Sequence, residues 1–416
     1  MEQELSNYIK LCKELDLTMI DETSPGSIFF LPKGQYIYNK LIELIRNKYD
    51  IFGYEEVSTP IMCSSELWKK SGHYDKYKEH MFFVQHREGH EQEFGLCPMN
   101  CPKHILIFKY MSPSYKQLPL RFADFGALHR NESSGSLVQL LRNRLFHQDD
   151  AHIFCTNEQI SEEIQNTIKM MTEIYELFGF KYEICVSTKP DQYIGSDELW
   201  KNAENILKEN AGKYGNFTLK DKDGAFYGPK IDIMIADNSD RKHQLGTIQL
   251  DFNLPLRFDL TYRDHDGKEY NPVMIHRAIF GSLERFIAVL IDYTNGRLPL
   301  WLSPRKIAII PVKSIFLDKC NDIKNEIIKI FNSSFGIDIL DHESVSKLVR
   351  NAEVLKYNYI LVVGEKEVTS NKLSIRQVKQ RKNEDEKAVV KKIEDKVFFD
   401  GIFKEYASKV RTSLLF

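Results

Sequence analysis

The densest group of residues able to do chemistry lies in LPLRFADFGALHRNESSGSLVQLLRNRLFHQDDAHIF, residues 118–154. Two strand-like arms flank a loop holding Ser133, Ser134, Gly135 and Ser136, which reads as a long-looped β-hairpin. Arg130, Glu132, Arg142 and Arg144 cluster about that loop. Guanidinium forks bind phosphate or carboxylate through paired hydrogen bonds, so several on one hairpin suit a triphosphate. On a surface turn the same arginines would serve as solvated charge. On the return arm Gln148, Asp150 and His152 project to one side by the two-residue period of a strand. Together they suit hydrogen bonding to a polar substrate, or a neutral imidazole holding a metal. In GAFYGPKID (224–232), Gly224, Gly228 and Pro229 make a turn that presents Tyr227 and Lys230. In PVMIHRAIFGSLERF (272–286), His276 precedes a helix containing Gly281, Ser282 and Arg285. Gly281 and Ser282 suit the approach of a ligand or of another helix equally, and Arg285 suits a ligand or solvent. Cys101, His152 and His276 have no local metal-ligand spacing.

Two helices supply scaffold. Ile37, Leu41, Leu44 and Ile45 share one face over 36–47, and Ile160, Ile164, Ile168, Met171 and Ile174 share one over 158–177, with Asn157 as its cap. A second strand sets Thr247, Gln249 and Asp251 against Ile248, Leu250 and Phe252, which gives the sheet a polar inner face. Pro299 and Pro304 bracket a break in LPLWLSPRK, and after it the elements read as a small β-α-β-α-β unit. These features predict an α+β chain of two domains, 1–300 and 301–416. The mixed-charge run KQRKNEDEKAVVKK (379–392) reads as a solvated loop or insert.

The chain has 416 residues, 42% apolar and 28% charged, with 57 Lys and Arg against 59 Asp and Glu. Its net charge of -2 offers no electrostatic case for nucleic acid, so such a partner has to be argued from motifs. No apolar run approaches the roughly 20 residues that cross a bilayer. MEQELSNYIK lacks the features of a signal peptide, so a cytoplasmic protein with no membrane partner is expected. Seven cysteines spread from Cys12 to Cys320 without a C-x-x-C pair suit a reducing compartment rather than a disulfide framework. The phosphate loop, the strand-borne G-x-G-x-x-G, H-E-x-x-H and G-x-S-x-G are all missing.

With these residues in view the chain resembles the threonyl-tRNA synthetases, class II aminoacyl-tRNA synthetases, over essentially its whole length. GYEEVSTP around Pro60 looks like motif 1, HRNESSG with LLRNRLFHQDDAHIF like motif 2, and HRAIFGSLERF like motif 3, while PMNCP (98–102) and FYGPKID are more threonine-specific. The resemblance implies an antiparallel catalytic sheet flanked by helices, a homodimer formed through motif 1, and an α/β anticodon-binding domain. It implies ATP-dependent activation of L-threonine and transfer to tRNA(Thr), with Mg²⁺ at the nucleotide. Arg130 would bridge the threonine carboxylate and the α-phosphate, Glu132 would hold the adenine amino group, and Arg142 and Arg285 the γ-phosphate. Lys230 and Gln244 match positions that contact nucleotide and adenylate; Gln249 lines the substrate site.

The family's Zn²⁺ ligands fall on Cys101, His152 and His276, three ligands with an open position for the amino and hydroxyl groups of threonine. Asp150 would orient that hydroxyl, and Gln148 and Tyr227 would complete the pocket. His73 matches a histidine placed near the terminal ribose of tRNA. Glu367 and Arg376 match anticodon-reading positions, and the 379–392 run becomes a candidate tRNA-contacting tongue.

The chain departs from the family's usual residues at Cys97 (Lys), Lys103 (Gly), and Val138 and Gln139 in the motif 2 loop; Cys97 is a candidate extra thiolate for the metal. Amino-terminal domains of relatives, one of which hydrolyses seryl-tRNA, have no counterpart in these residues. The expectation is appreciable serine activation without editing in cis. The rival expectations are a catalytically idle paralogue that binds tRNA or a protein, and a related enzyme for serine or proline.

Overall fold

The structure, a computed structural model, describes residues 7–84, 93–238, 240–370, 372–377 and 389–409. Pro32 opens a helix that runs to Phe52, where Gly53 in the left-handed region (φ 69°) ends it. Ile37, Leu41, Leu44 and Ile45 are its buried face, as their spacing predicts. The second scaffold helix spans Ile160–Phe178. Its cap differs from expectation: Asn157 lies within a short 3₁₀ turn, and Thr156 forms a capping box with Gln159 instead.

A nine-stranded sheet organises the first domain. From one edge its strands are Phe217–Lys220, Tyr182–Ser187, Lys230–Ala236, Lys242–Asp251, Val273–Ser282, Leu145–Cys155, Leu120–Asp124 and Glu55–Glu56, with Ala127–His129 pairing beside Leu145–Cys155. Only the first and last adjacent pairs are parallel; the rest are antiparallel. One face packs on the scaffold helices and on Leu283–Tyr293, and Ile153, Ile248, Ile275, Ile168 and Ile287 meet there in a single core. The opposite face keeps its polar residues. The helix Cys101–Met111 covers part of that face, with Phe108 stacked on Phe154 at 4.6 Å between centroids.

His276 lies within the strand Val273–Ser282 rather than ahead of a helix, and Gly281 and Ser282 close that strand. The register against Leu145–Cys155 shifts between Ala278 and Ser282. Asp149, buried on the helix side, accepts the N–H groups of Ile279 (2.8 Å) and Phe280 (2.9 Å) at this irregularity. Donors that the ladder leaves unpaired are thereby satisfied, and the turn into Arg285 is fixed.

After Pro304 a five-stranded sheet follows in the order Ile337–Ile339, Ile307–Pro311, Tyr359–Val363, Lys372–Gln377 and Val389–Glu394. The first three strands are parallel and the last two antiparallel to their neighbours. Residues 379–388 of the mixed-charge run lie outside the described residues. Val389–Lys392, expected in a loop, instead belong to the edge strand, which precedes a further helix Asp395–Ser408. An edge strand tolerates the lysines that hid it, because one side of its ladder faces water. No helix among the described residues is long and apolar enough to cross a membrane.

Candidate active site

Antiparallel pairing places the sequence-distant polar residues in rows. Lys230 pairs with Gln249, Gln249 with His276, and His276 with His152, so one row crosses four strands. A parallel row runs Asp232, Thr247, Ala278 and Asp150. Residues opposite one another across strands lie about 5 Å apart, which local spacing in the sequence cannot reveal.

The amino end of the Cys101–Met111 helix drops Cys101 onto the first row. Ligand atoms of Cys101, His152 and His276, all buried, lie within 4.8 Å of one another. His276 Nε2 is 3.0 Å from Asp251 Oδ2, and His152 Nδ1 is 2.8 Å from His104 Nδ1. Each imidazole therefore has one nitrogen hydrogen-bonded to a neighbour and the other available to a metal, His152 Nε2 with Asp150 Oδ1 4.0 Å away, the usual arrangement around metal-ligating histidines. His104 Nε2 in turn lies 3.8 Å from Asp124, whose carboxylate accepts the Thr59 hydroxyl from motif 1. Burial pushes the His152 imidazole well down, with the charges of His104 and His276 adding to it, so the ring is neutral and ready to ligate. Burial pushes the Cys101 thiol well up, helped by Asp150 and Asp251. A dication at this point would displace its proton. The thiol, the two oriented imidazoles and the buried setting fit Zn²⁺.

Two cavities meet at this face. The smaller, about 300 Å³, is walled by Cys101, His276, Asp150, Tyr227 and Arg130. The larger, about 490 Å³, is walled by Arg130, Glu132, Arg142, Gln244 and Arg285. Arg130, Gln148, Thr247 and Gln249 line both. Arg130 stacks over Phe146 (4.9 Å) and Tyr77 (5.7 Å) and donates to Pro98 O (3.4 Å). Arg285 donates to Leu141 O and Gln244 O. Neither makes an ion pair among the described residues. Burial and the nearby Arg130 and Arg142 charges lower the pKa of Arg285, an electrostatic debt that an anion in the larger cavity would settle. Arg142 instead meets Glu132, Nη2 to Oε2 at 2.8 Å.

Lys230 Nζ sits 3.0 Å from the fully buried Asp232, which also accepts from Gln244 (2.6 Å) and Thr247 (2.9 Å). Tyr227 donates to Gln249 Oε1 at 2.5 Å and stacks on His276 at 4.7 Å. Asp150, its pKa raised by burial, stands in the smaller cavity beside them. His73 is fully buried, with Nδ1 2.7 Å from Ser71 Oγ and Nε2 3.7 Å from Cys101 Sγ; burial and the charges of His276, Arg130 and Arg257 hold it down at about 3.

Cys97 is not drawn to the metal ligands: its thiol faces Pro60 O (3.4 Å) and Cys63 Sγ (3.7 Å), and Lys103 Nζ donates to the same carbonyl (3.1 Å). In the second domain Glu367 caps the Glu365–Thr369 turn by accepting Gly364 N–H (3.0 Å), and Arg376 is engaged by Glu353. His104, Asp232 and Asp251 are the supporting residues that motif reading passes over. Asp251 and Asp232 do lie in the strands with polar faces, but their partners are set by cross-strand geometry.

Residues 77–294 match the tRNA synthetase class II core domain (G, H, P, S and T), and residues 306–398 match an anticodon binding domain. The chain belongs to the class II aminoacyl-tRNA synthetases. Among its relatives is the cytoplasmic threonine–tRNA ligase of Saccharomyces cerevisiae, 47% identical over 380 residues, which are 90% of this chain and 51% of that protein. A mitochondrial threonine–tRNA ligase of Arabidopsis thaliana is 46% identical over 88% of this chain and 51% of its own. The solved RNA binding domain of threonyl-tRNA synthetase from Cryptosporidium parvum is 43% identical, with a TM-score of 0.87, over 98% of this chain and 100% of that one. Within the class, this places the chain among the threonyl-tRNA synthetases. It spans about half the length of the curated relatives it matches.

Proposed function

We propose that the chain activates L-threonine with ATP to threonyl-adenylate and transfers the threonyl group to tRNA(Thr). The observation that carries this reading is the junction of the two cavities, a buried Cys101, His152 and His276 set on one side and arginines on the other, with Arg130 in both walls. A threonine in the smaller cavity has its carboxylate toward Arg130. ATP in the larger one has its phosphates among Arg130, Arg142 and Arg285, with Mg²⁺, and its adenine near Glu132. A carboxylate oxygen attacks the α-phosphorus and pyrophosphate leaves; positioning and charge neutralisation are what this step demands. Gln244, which Asp232 holds together with Lys230, faces the nucleotide. The terminal ribose hydroxyl of tRNA then attacks the threonyl carbonyl carbon and AMP leaves; His73, at the position matching the family's ribose-side histidine, would take that hydroxyl's proton only once tRNA binding relieves the burial that holds it at about 3.

Cys101, His152 and His276 would hold Zn²⁺, which would supply Lewis acidity toward the amino and hydroxyl groups of the amino acid. Asp150 orients the hydroxyl, and Gln148, Tyr227 and Gln249 enclose it. A site built to engage a hydroxyl rejects an isostere lacking it by about 10⁴–10⁵, whereas a missing methyl costs only about 1–3 kcal/mol. Valine is therefore excluded and serine accepted at reduced rate. Residues 1–300 form the catalytic unit and 301–416 the anticodon-binding unit, with Glu367 and Arg376 as its base-contacting residues. The open edge strand Glu55–Glu56 and the 71% exposed Ile51 support pairing of two copies through motif 1. The cytosol is the proposed compartment.

ATP–pyrophosphate exchange with threonine, serine, valine and proline, together with zinc content, tests the reading. Threonine-dependent exchange, weaker serine exchange and one zinc per chain are expected. Absence of exchange with every amino acid would leave an idle tRNA- or protein-binding paralogue, and proline dependence would overturn the specificity.

A further inference from the structure

Six of the seven cysteines sit where the surroundings disfavour a free thiolate. Burial pushes Cys12 up to about 12 and Cys320 up to about 11, and it raises Cys97, Cys101, Cys155 and Cys185 as well, Cys97 chiefly through its hydrogen bond to Cys63. Cys63 is the exception. It sits half-buried on the short strand Met62–Ser64, which pairs with Phe94–Leu96 so that Met62 opposes Leu96. Cys97 follows that second strand, its N–H bonded to Ile61 O (2.9 Å), so the two thiols lie diagonally on one face with sulfurs 3.7 Å apart. A disulfide needs roughly 2.05 Å, and diagonal neighbours across antiparallel strands stand about 7–8 Å apart, at the limit of a disulfide's span, so closure draws the two short strands together.

Lys103 stands against the pair. It is 3% exposed, with Nζ fixed on the same Pro60 carbonyl that the Cys97 thiol faces. The hydrogen bond from Cys97, and after it the Lys103 charge, hold the Cys63 thiol down at about 7 against its burial. Cys97 also packs with Phe146 and Leu128, and its carbonyl accepts the His129 N–H (2.9 Å) next to Arg130. The pair thus joins the chain after motif 1 to the platform beneath Arg130.

We propose that Cys63 and Cys97 form a reversible thiol–disulfide site, with Cys63 the attacking thiol, Cys97 the resolving one and a hydroperoxide the oxidant. The Cys63 thiolate attacks the terminal peroxide oxygen, the O–O bond breaks, and a sulfenic acid and hydroxide form. The hydroxide takes the Cys97 proton; the Cys97 sulfur attacks the Cys63 sulfur, and the oxygen leaves with a proton as water. Two thiols and one hydrogen peroxide become one disulfide and two waters, with two electrons passing from sulfur to oxygen. Such a bond in a reducing compartment is transient and restored by a dithiol.

Formation of the bond does not depend on the function proposed above, so the test reads thiols alone. The zinc-loaded full chain is treated with hydrogen peroxide at pH 7, its zinc content is read, the chain is unfolded so that the buried thiols can be alkylated, and unreduced peptides are mapped by mass spectrometry. Five of the seven thiols are expected to stay alkylatable, with one peptide linking Cys63 to Cys97, zinc content unchanged, and all seven recovered by dithiothreitol. Cys63→Ser should leave Cys97 unoxidised. Lys103→Met should slow formation of the linked peptide about tenfold, through the smaller thiolate fraction at pH 7. Seven intact thiols, a sulfinic acid at Cys63 with Cys97 alkylated, or earlier oxidation of any other cysteine would overturn the proposal. An unchanged rate in Lys103→Met would overturn the part given to Lys103.

Discussion

His104 touches neither cavity, yet it decides which nitrogen of His152 is left for a metal. With His152 Nε2 on the metal, its Nδ1–H must donate to His104 Nδ1, which puts the His104 proton on the nitrogen facing Asp124. Loss of such a partner ordinarily weakens metal binding by about 10–100-fold. His104→Ala should therefore raise the zinc dissociation constant by that factor in a chelator competition, with threonine exchange regained in excess zinc. A lower melting temperature with unchanged zinc affinity would reduce His104 to packing. Asp232 is placed to act in the same indirect way on the arginine-lined cavity proposed for the nucleotide, because it holds Lys230 and Gln244 at once. Asp232→Asn keeps the shape and removes the charge. It should raise the KM for ATP about tenfold or more in pyrophosphate exchange and leave zinc content at its wild-type level; a charge-assisted hydrogen bond is worth about 1.5–3 kcal/mol. An unchanged KM would assign Asp232 to folding alone.

The elements that bring these residues together were legible to different degrees. Helix Pro32–Phe52 and helix Ile160–Phe178 announce themselves because their apolar residues repeat within the element. The strand Val389–Glu394 does not, since VVKKIE at a sheet edge shows no alternation. The hairpin arginines could be read directly as an anion site, but Cys101, His152 and His276 come together only through strand register, and without the family resemblance nothing in their spacing pairs them. The turn 224–229 shows why geometry this tight also depends on small residues. A Cβ on Gly228 would lie 2.0 Å from Leu250 O, a backbone atom that cannot rotate away. Gly228→Ala should push the turn off the strand Lys242–Asp251 and shift Tyr227 from Gln249 and His276. A cost of about 1–3 kcal/mol should appear as a lower melting temperature, together with a raised KM for threonine in exchange. A melting temperature and KM equal to wild type would show that the turn has slack.

At the scale of the whole molecule the two domains meet on a buried lysine. Tyr36 of the first domain stacks on Phe335 of the second at 4.7 Å, and Lys306, 1% exposed, lies over Tyr36 at 4.2 Å while donating to Phe335 O at 3.0 Å. Burial, and secondarily the Lys40 charge, lower its pKa to about 7 from 10.5. Between those values the unfolded chain binds the proton and the folded chain does not, so the contribution of Lys306 to stability rises with pH across this window. Below about 7 both states are charged and the full penalty of burying the ammonium is paid. The ring of Tyr36 and the Phe335 carbonyl soften that penalty without reversing it, since both favour the charged form. Raising the pH from 7 to 9 should therefore stabilise the wild type relative to Lys306→Met by up to about 2 kcal/mol. Thermal or urea unfolding of both proteins at the two pH values measures this directly, because every other titrating group cancels in the double difference. Parallel pH dependence in the two proteins would mean that Lys306 stays charged at the seam, held by Tyr36 and Phe335 more strongly than burial opposes it.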